Sequence, residues 1–311
     1  MSSSYKLQLI SDNTIWDYYF LLPKKTNLSQ SWHYGNAKMQ AQRWKIIRYI
    51  ITENDRPIAL IQTWHKKFIF LKLVRVSYGP VWIIENPSAH QIKSVFQLIK
   101  NKWRLKKCSI LLIAPNLENT PENNIIIKKL RFYKRKSMPY ESGLVDLTKS
   151  IENLRIQLRQ NWRNQLKTAE KNKLLFQVSQ NTNDFEWIMS CFETLRKEKN
   201  FYGHHSELLK ALFHGSSDNY ETYVGIIFQN EEKIAGILFS RYGISCVPLI
   251  IWVSKNGRTL NAGNFLLWNC VLYAKNIGCL WFDLGGTNNS TKFKTGLPNT
   301  PYRLIGEYCA F

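Results

Sequence analysis

The sequence predicts an α/β protein of two domains, each a mixed sheet carrying helices, and three observations lead there. A chain of 311 residues, 44% hydrophobic and 14% aromatic, exceeds one ordinary domain and suffices for two packed cores. Apolar runs of strand length alternate along it with stretches of helical periodicity. Finally, Ile50-Ile51, Asn54, Ile58-Ala59 and Ile61 recur, all displaced by the same interval, at Ile226-Ile227, Asn230, Ile234-Ala235 and Ile237. A duplicated α/β unit explains the recurrence economically. The expected domains are 1–142 and 143–300, with 301–311 a C-terminal strand returning to the first.

Taken in order, an aromatic-rich helix spans Asn13 to Phe20 and stops before Pro23; a second covers Ser29 to Gln42. Trp44 to Thr52 and Pro57 to Trp64 are strands joined by the hairpin turn Glu53-Asn54-Asp55-Arg56, and Phe70 to Ile83 supplies a third around Tyr78-Gly79-Pro80. Asn86 as cap and Pro87 at the first helical position open an amphipathic helix with Ile92, Val95, Phe96, Ile99 and Trp103 on one face, before a strand at Ser109 to Ala114. The second half repeats the theme. A strand at Gly143 to Leu147 leads to one long helix, Ile151 to Lys171, and a strand at Leu174 to Val178. Asn183 and Glu186 form a capping box for a helix from Asp184 to Lys199. Strands at Tyr220 to Phe228, Lys233 to Tyr242 and Ser245 to Val253, a helix from Asn261 to Lys275 and a strand from Cys279 to Leu284 complete it.

The balance of 43 Lys+Arg against 22 Asp+Glu, a net charge of +21, makes polyanions the natural partners: RNA, DNA, an anionic membrane face or a phosphorylated substrate. Six scattered cysteines, with no C-x-x-C pair, point to neither a zinc site nor a disulfide framework and read as small core residues. Without an apolar leader or a run of spanning length, a cytoplasmic location is expected.

The sharpest chemical signal lies at 282–296, where a strand runs into Gly285-Gly286, a polar turn and Phe293-Lys294. Paired glycines let a ligand approach the main chain, and the following ammonium suits a developing negative charge. Arg155, Arg159, Arg163, Lys167 and Lys171 recur every four residues, so about three of them share one helix face suited to RNA phosphate. Arg258-Thr-Leu-Asn261-Ala-Gly263 is a near miss to an acetyl-CoA pyrophosphate loop, with Asn261 in place of the middle glycine. Asp283 reads as support for the glycine turn, and no residue stands out as a general base.

The order of elements is similar to the acetyltransferase-like GNAT fold used twice. Trp32 to Lys38 with Trp44, Tyr78-Gly79-Pro80-Val81, Asn161-Trp162-Arg163-Asn164, Phe282 to Gly286, Phe293-Lys294 and Gly306-Glu307-Tyr308 resemble the Fem-type aminoacyl-tRNA-dependent transferases that extend peptidoglycan stem peptides. The resemblance implies that Lys294 is catalytic and that Lys38, with Tyr34 and Trp32, grips a phosphorylated acceptor. It places Phe293, Asp283, Gly285 and Gly286 against the aminoacyl-tRNA end, with Arg159, Arg163, Lys167, Lys171, Arg258 and Lys292 on the tRNA. The cofactor expectation is none, aminoacyl-tRNA serving as co-substrate; the partners are that tRNA, an amine acceptor (peptidoglycan precursor, peptide or metabolite) and, peripherally, an anionic membrane surface. Three departures stand out. The loop Phe201-Tyr202-Gly203-His204-His205 lacks the family's arginine, Val178 to Tyr220 leaves no room for a helical coiled-coil arm, and the chain stops soon after Tyr308. Acyl-CoA-dependent N-acyl transfer and non-catalytic RNA binding remain the alternatives.

Overall fold

The computed structural model describes residues 3–104, 108–137, 139–200, 203–287 and 289–311, the side chains of 289–292 excepted. The chain divides into two compact units, Met1–Tyr140 with Arg303–Phe311, and Glu141–Tyr302.

The first unit runs β1 (Tyr5–Ile10), α1 (Asn13–Phe20), α2 (Trp32–Gln42), β2 (Lys45–Glu53), β3 (Arg56–Phe68), β4 (Leu71–Gly79), β5 (Val81–Trp82), α3 (Ala89–Lys102), β6 (Ser109–Pro115), α4 (Pro121–Lys129) and β7 (Tyr133–Lys134). Its sheet has the order β1-β2-β3-β4-β6-β15-β7, in which β15 is the C-terminal segment Tyr308–Ala310. β4 and β6 pair in parallel, and α3 makes their crossover. The expected strand from Phe70 to Ile83 breaks at Pro80, which has no N–H to give a ladder; β5 then leaves β4 and pairs with β3. Helix α3 buries Ile92, Val95, Phe96 and Ile99, the face its periodicity predicts. Its cap is Ser88 rather than Asn86: Ser88 Oγ accepts from Gln91 N and Gln91 Oε1 from Ser88 N. Asn86 instead sits at φ +50 in the preceding turn.

The second unit runs β8 (Glu141–Asp146), α5 (Ile151–Ile156), α6 (Gln160–Glu170), β9 (Leu175–Ser179), α7 (Thr182–Lys199), α8 (Ser206–His214), β10 (Tyr220–Gln229), β11 (Glu232–Tyr242), β12 (Ser245–Val253), α9 (Lys255–Thr259), α10 (Ala262–Asn276), β13 (Trp281–Asp283) and β14 (Thr300–Arg303). Strand order is β14-β8-β13-β12-β11-β10-β9, and β12 pairs in parallel with β13 across α10. Between β9 and β10 the described residues form α7 and α8 with no coiled-coil arm. The cap of α7 is Asn181, whose side chain accepts from Asp184 N at 2.8 Å, not Asn183 with Glu186. Asp184 is itself held by Lys233 at 2.6 Å.

The two hairpins match residue for residue. Ile51 faces Ala59 and Thr52 faces Pro57, a one-residue bulge; Ile227 faces Ala235 and Phe228 faces Lys233, the same bulge. Asn54-Asp55 and Asn230-Glu231 all have positive φ, as a two-residue I′ turn requires. Each unit has its own core, around Ile51, Ile61, Val74, Phe96 and Ile113 in the first and Ile227, Ile237, Phe239, Leu266 and Phe282 in the second.

One expectation about local structure fails in an informative way. The long helix from Ile151 to Lys171 is two helices, interrupted at Gln157–Arg159. Arg159 takes an extended N-cap conformation (ψ 141°) and gives its N–H to Gly296 O at 3.0 Å. Arg155 therefore leaves the basic stripe and grips both carboxylate oxygens of Glu170. Among the cysteines, Cys246, Cys270 and Cys279 are core residues as expected, but Cys108 is exposed in the turn just before β6, and all six are free thiols.

Candidate functional site

In the second unit, β13 delivers the chain into Gly285 and Gly286, both with positive φ (+68° and +87°). A Cβ on Gly285 would lie 2.5 Å from the carbonyl oxygen of Pro248 on β12, so this position excludes any side chain. Asp283, 3% exposed, fastens the turn. Its Oδ1 accepts from Ser142 Oγ (2.6 Å) and Gly285 N (2.7 Å), and its Oδ2 accepts from Tyr302 Oη (2.5 Å). Ser142 Oγ in turn accepts from Gly286 N at 3.3 Å. The carboxylate named above for substrate contact thus spends these bonds on the turn.

Lys294 lies in a 3-10 segment, Asn289–Gly296, and is 3% exposed. Its Nζ donates to Leu284 O (2.5 Å) and Gly285 O (3.3 Å). An ammonium carries three N–H groups, and the third has no partner among the described residues. Burial pulls its pKa from 10.5 to about 8, against the opposing pull of the Asp283 carboxylate. Phe293 and Thr295 on either side of Lys294 line a cleft of about 430 Å³, whose other wall is the N-terminal end of α6 with its cap: Arg159, Gln160, Asn161, Trp162 and Gln165. Gly296 closes the floor. A Cβ there would meet the Trp162 indole at 2.2 Å, so glycine alone lets the segment lie flat on that ring. The indole Nε1 of Trp162 is buried without a hydrogen-bond partner.

A family model described as an acetyltransferase (GNAT) domain matches residues 157–295, which include the glycine turn and every lining residue of this cleft except Gly296. A crystal structure of FemX superposes over 99% of this chain and 97% of its own with a TM-score of 0.77 at 13% identity. The chain has the Fem-type tandem GNAT fold. A tandem GNAT protein from the clavulanic acid biosynthesis pathway is also similar (TM-score 0.56, 9% identity, 99% and 98% covered). So is the C-terminal domain of a putative lysylphosphatidylglycerol synthetase from Agrobacterium fabrum (TM-score 0.55, 11% identity, 96% and 92% covered). No curated protein matches the chain in sequence.

The first GNAT unit gathers the other expected residues into an aromatic box. Tyr34 stacks on Trp64 at 5.7 Å, and Lys38 Nζ sits 4.8 Å above Trp64 and 5.7 Å from the Tyr34 ring while donating to Gln42 Oε1. Burial, with the cations Arg75 and Lys66 nearby, pulls the Lys38 pKa from 10.5 to about 8. Trp32 is the stacking platform for the Arg48 guanidinium, 3.5 Å from its centroid. Arg48 also donates to Gln62 Oε1, and Gln62 with Gln30 ties the start of α2 to β3. Lys38 and Lys294 therefore belong to separate GNAT units.

Of the basic residues expected on tRNA, Arg159 lines the cleft, and Lys167 on α6 and Lys171 just past its end are exposed. Arg163 is half-buried, donating to Ile156 O and Gln160. Arg258 is exposed on α9; the side chain of Lys292 and residues Phe201 and Tyr202 lie outside the described residues. Asn261 adopts the left-handed conformation (φ +55°) that a glycine would take at the start of α10. Sequence reasoning missed Ser142, Tyr302 and Trp64, which reach these sites only through sheet pairing. It also missed β1 and α4, although the alternation of Tyr5 to Ile10 and the Thr120-Pro121 cap were both visible locally. Among the described residues no helix is long and apolar enough to cross a membrane.

Proposed function

We propose that the protein is an aminoacyltransferase that moves an aminoacyl group from aminoacyl-tRNA to a primary amine and forms an amide by direct attack. One observation carries the reading: a buried ammonium, Lys294, is pinned to a glycine turn with one N–H left over, between two residues that line an open cleft. As the amine nitrogen bonds to the ester carbonyl carbon, the carbonyl oxygen becomes an oxyanion. The spare N–H of Lys294 stabilises it. The acceptor ammonium loses one proton to solvent before the attack; collapse then breaks the ester C–O bond, one of the two protons left on nitrogen passes to the departing ribose oxygen, and the other stays on the amide. No covalent enzyme intermediate is needed. Phe293, exposed at the cleft, stacks on the terminal adenine, and Arg159 meets the phosphates beside it. The box around Lys38 holds an anionic acceptor, for which a peptidoglycan precursor has the required phosphates and stem-peptide amine.

The test is incubation with total radiolabelled aminoacyl-tRNA and a peptidoglycan precursor. Label moves to the precursor, RNase abolishes the transfer, and Lys294→Met abolishes it while tRNA binding persists. Failure of label to move to any amine acceptor overturns the proposal. A second reading, transfer from acyl-CoA, is favoured by Asn261, which takes the glycine-like turn a pyrophosphate loop needs. That reading requires coenzyme A to protect the protein against thermal unfolding.

A further inference from the structure

The hairpin between β3 and β4 ends in Phe68, Ile69 and Phe70, which are 57%, 82% and 88% exposed. Single exposed apolar side chains are ordinary, but three large ones in succession at a turn are not. The turn chemistry is unfavourable too. Ile69 stands at φ +36°, a conformation that suits glycine or asparagine and strains a β-branched residue. Folding alone gives no reason to keep an isoleucine there.

The flanking charges point the same way. Lys66, Lys67 and Lys72 border the tip, and Lys67 faces Lys72 directly across the ladder, a like-charge pair that destabilises the hairpin by itself. Lys45, at the start of β2, pairs beside them opposite His65. No Asp or Glu occurs between Asp55 and Glu85 or between Glu85 and Glu118, and none lies between Lys45 and Thr52, so β3, β4 and this near end of β2 bring no carboxylate.

We propose that this hairpin is a membrane-insertion wedge: Phe68, Ile69 and Phe70 enter the interface of an anionic bilayer while the lysines bind its phosphates. An apolar point with a basic rim matches an anionic interface, whose phosphates lie above hydrocarbon. It matches single-stranded RNA less well, because RNA stacks on aromatic faces and one of the two most protruding residues, Ile69, has none. The proposal is independent of the chemistry assigned to the cleft.

The test is co-sedimentation of the full chain with vesicles of phosphatidylcholine, with or without phosphatidylglycerol. The protein sediments with the phosphatidylglycerol vesicles, less so as salt rises. The variant Phe68→Ser/Ile69→Ser/Phe70→Ser loses affinity by at least about tenfold and keeps its melting temperature, since the changed side chains were exposed. In Ile69→Trp, tryptophan emission shifts to the blue on binding and is quenched by lipids brominated on the acyl chain. Absence of sedimentation, undiminished binding by the serine variant, or unquenched emission overturns the proposal. So does loss of total-tRNA binding by the serine variant in a filter assay, which would make the tip an RNA contact.

Discussion

Replacing Lys294 with methionine gives a prediction that needs no substrate. The folded chain holds this ammonium at a pKa of about 8, against 10.5 when it is solvated. Below pH 8 both folded and unfolded states carry the proton, and the full cost of burying the charge is present. Between about 8 and 10.5 the unfolded chain keeps a proton that the folded chain has released. The unfolded state then binds more protons, and stability contributed by this site rises with pH. Integrated across that window, the gain is about 3 kcal/mol. Lys294→Met lacks the titration, so the stability difference between wild type and variant moves by about 3 kcal/mol in favour of wild type from pH 7 to 10.5. Lys38 has the same depressed pKa but is present in both proteins and cancels. Urea unfolding of the two proteins across that range measures the difference directly. Parallel stability curves would refute the desolvated ammonium and, with it, the physical basis for an oxyanion-stabilising Lys294.

The remaining predictions concern the frame of the site. Gly285→Ala forces a Cβ into a left-handed residue 2.5 Å from Pro248 O; the variant loses about 2–5 kcal/mol in denaturant unfolding, strain and overlap combined. Tyr302→Phe removes a donor from the buried Asp283 carboxylate and costs about 1–3 kcal/mol, read as a lower melting temperature. Arg159→Gln weakens binding of charged tRNA and reduces the slope of log affinity against log salt by about one in filter binding.

How much of this was legible depends on the range of the forces involved. The two hairpins were readable because Asn54 and Asn230 supply positive φ and the flanking isoleucines alternate or run together, all local signals. The α3 cap was also local but ambiguous: Asn86 and Ser88 are both capping residues, and only Gln91, three beyond Ser88, decides between them. The break between α5 and α6 was not readable. Neither glycine nor proline marks it, and its cause is the distant Gly296 carbonyl taking the Arg159 N–H. The site divides in the same way. Gly285, Gly286 and Lys294 sit together in sequence, whereas Ser142 and Tyr302 reach Asp283 from the neighbouring strand β8 and from β14.

The matched bulges show that both units keep one backbone plan, so their different chemistry must come from side chains laid on it. Strand β3 buries Gln62, Thr63 and His65, while the aligned stretch of β11 holds Leu238, Phe239 and Arg241. Phe239 packs against Tyr223 and Tyr273 as ordinary core. Gln62, by contrast, donates to the carbonyls of Ser29 and Ser31 and accepts from Arg48, fixing the entry to α2 and therefore the placement of Tyr34 and Lys38. A buried polar network with these partners satisfied specifies a geometry that apolar packing leaves looser. The first unit thus builds its cationic box by making the middle of its second hairpin strand polar. The second keeps Leu238 and Phe239 where the first has Gln62 and Thr63, and builds at the end of β13, where a glycine turn supplies the carbonyls that hold Lys294. The two units differ on one topology because each replaces core with polar contacts at a different place along the same path.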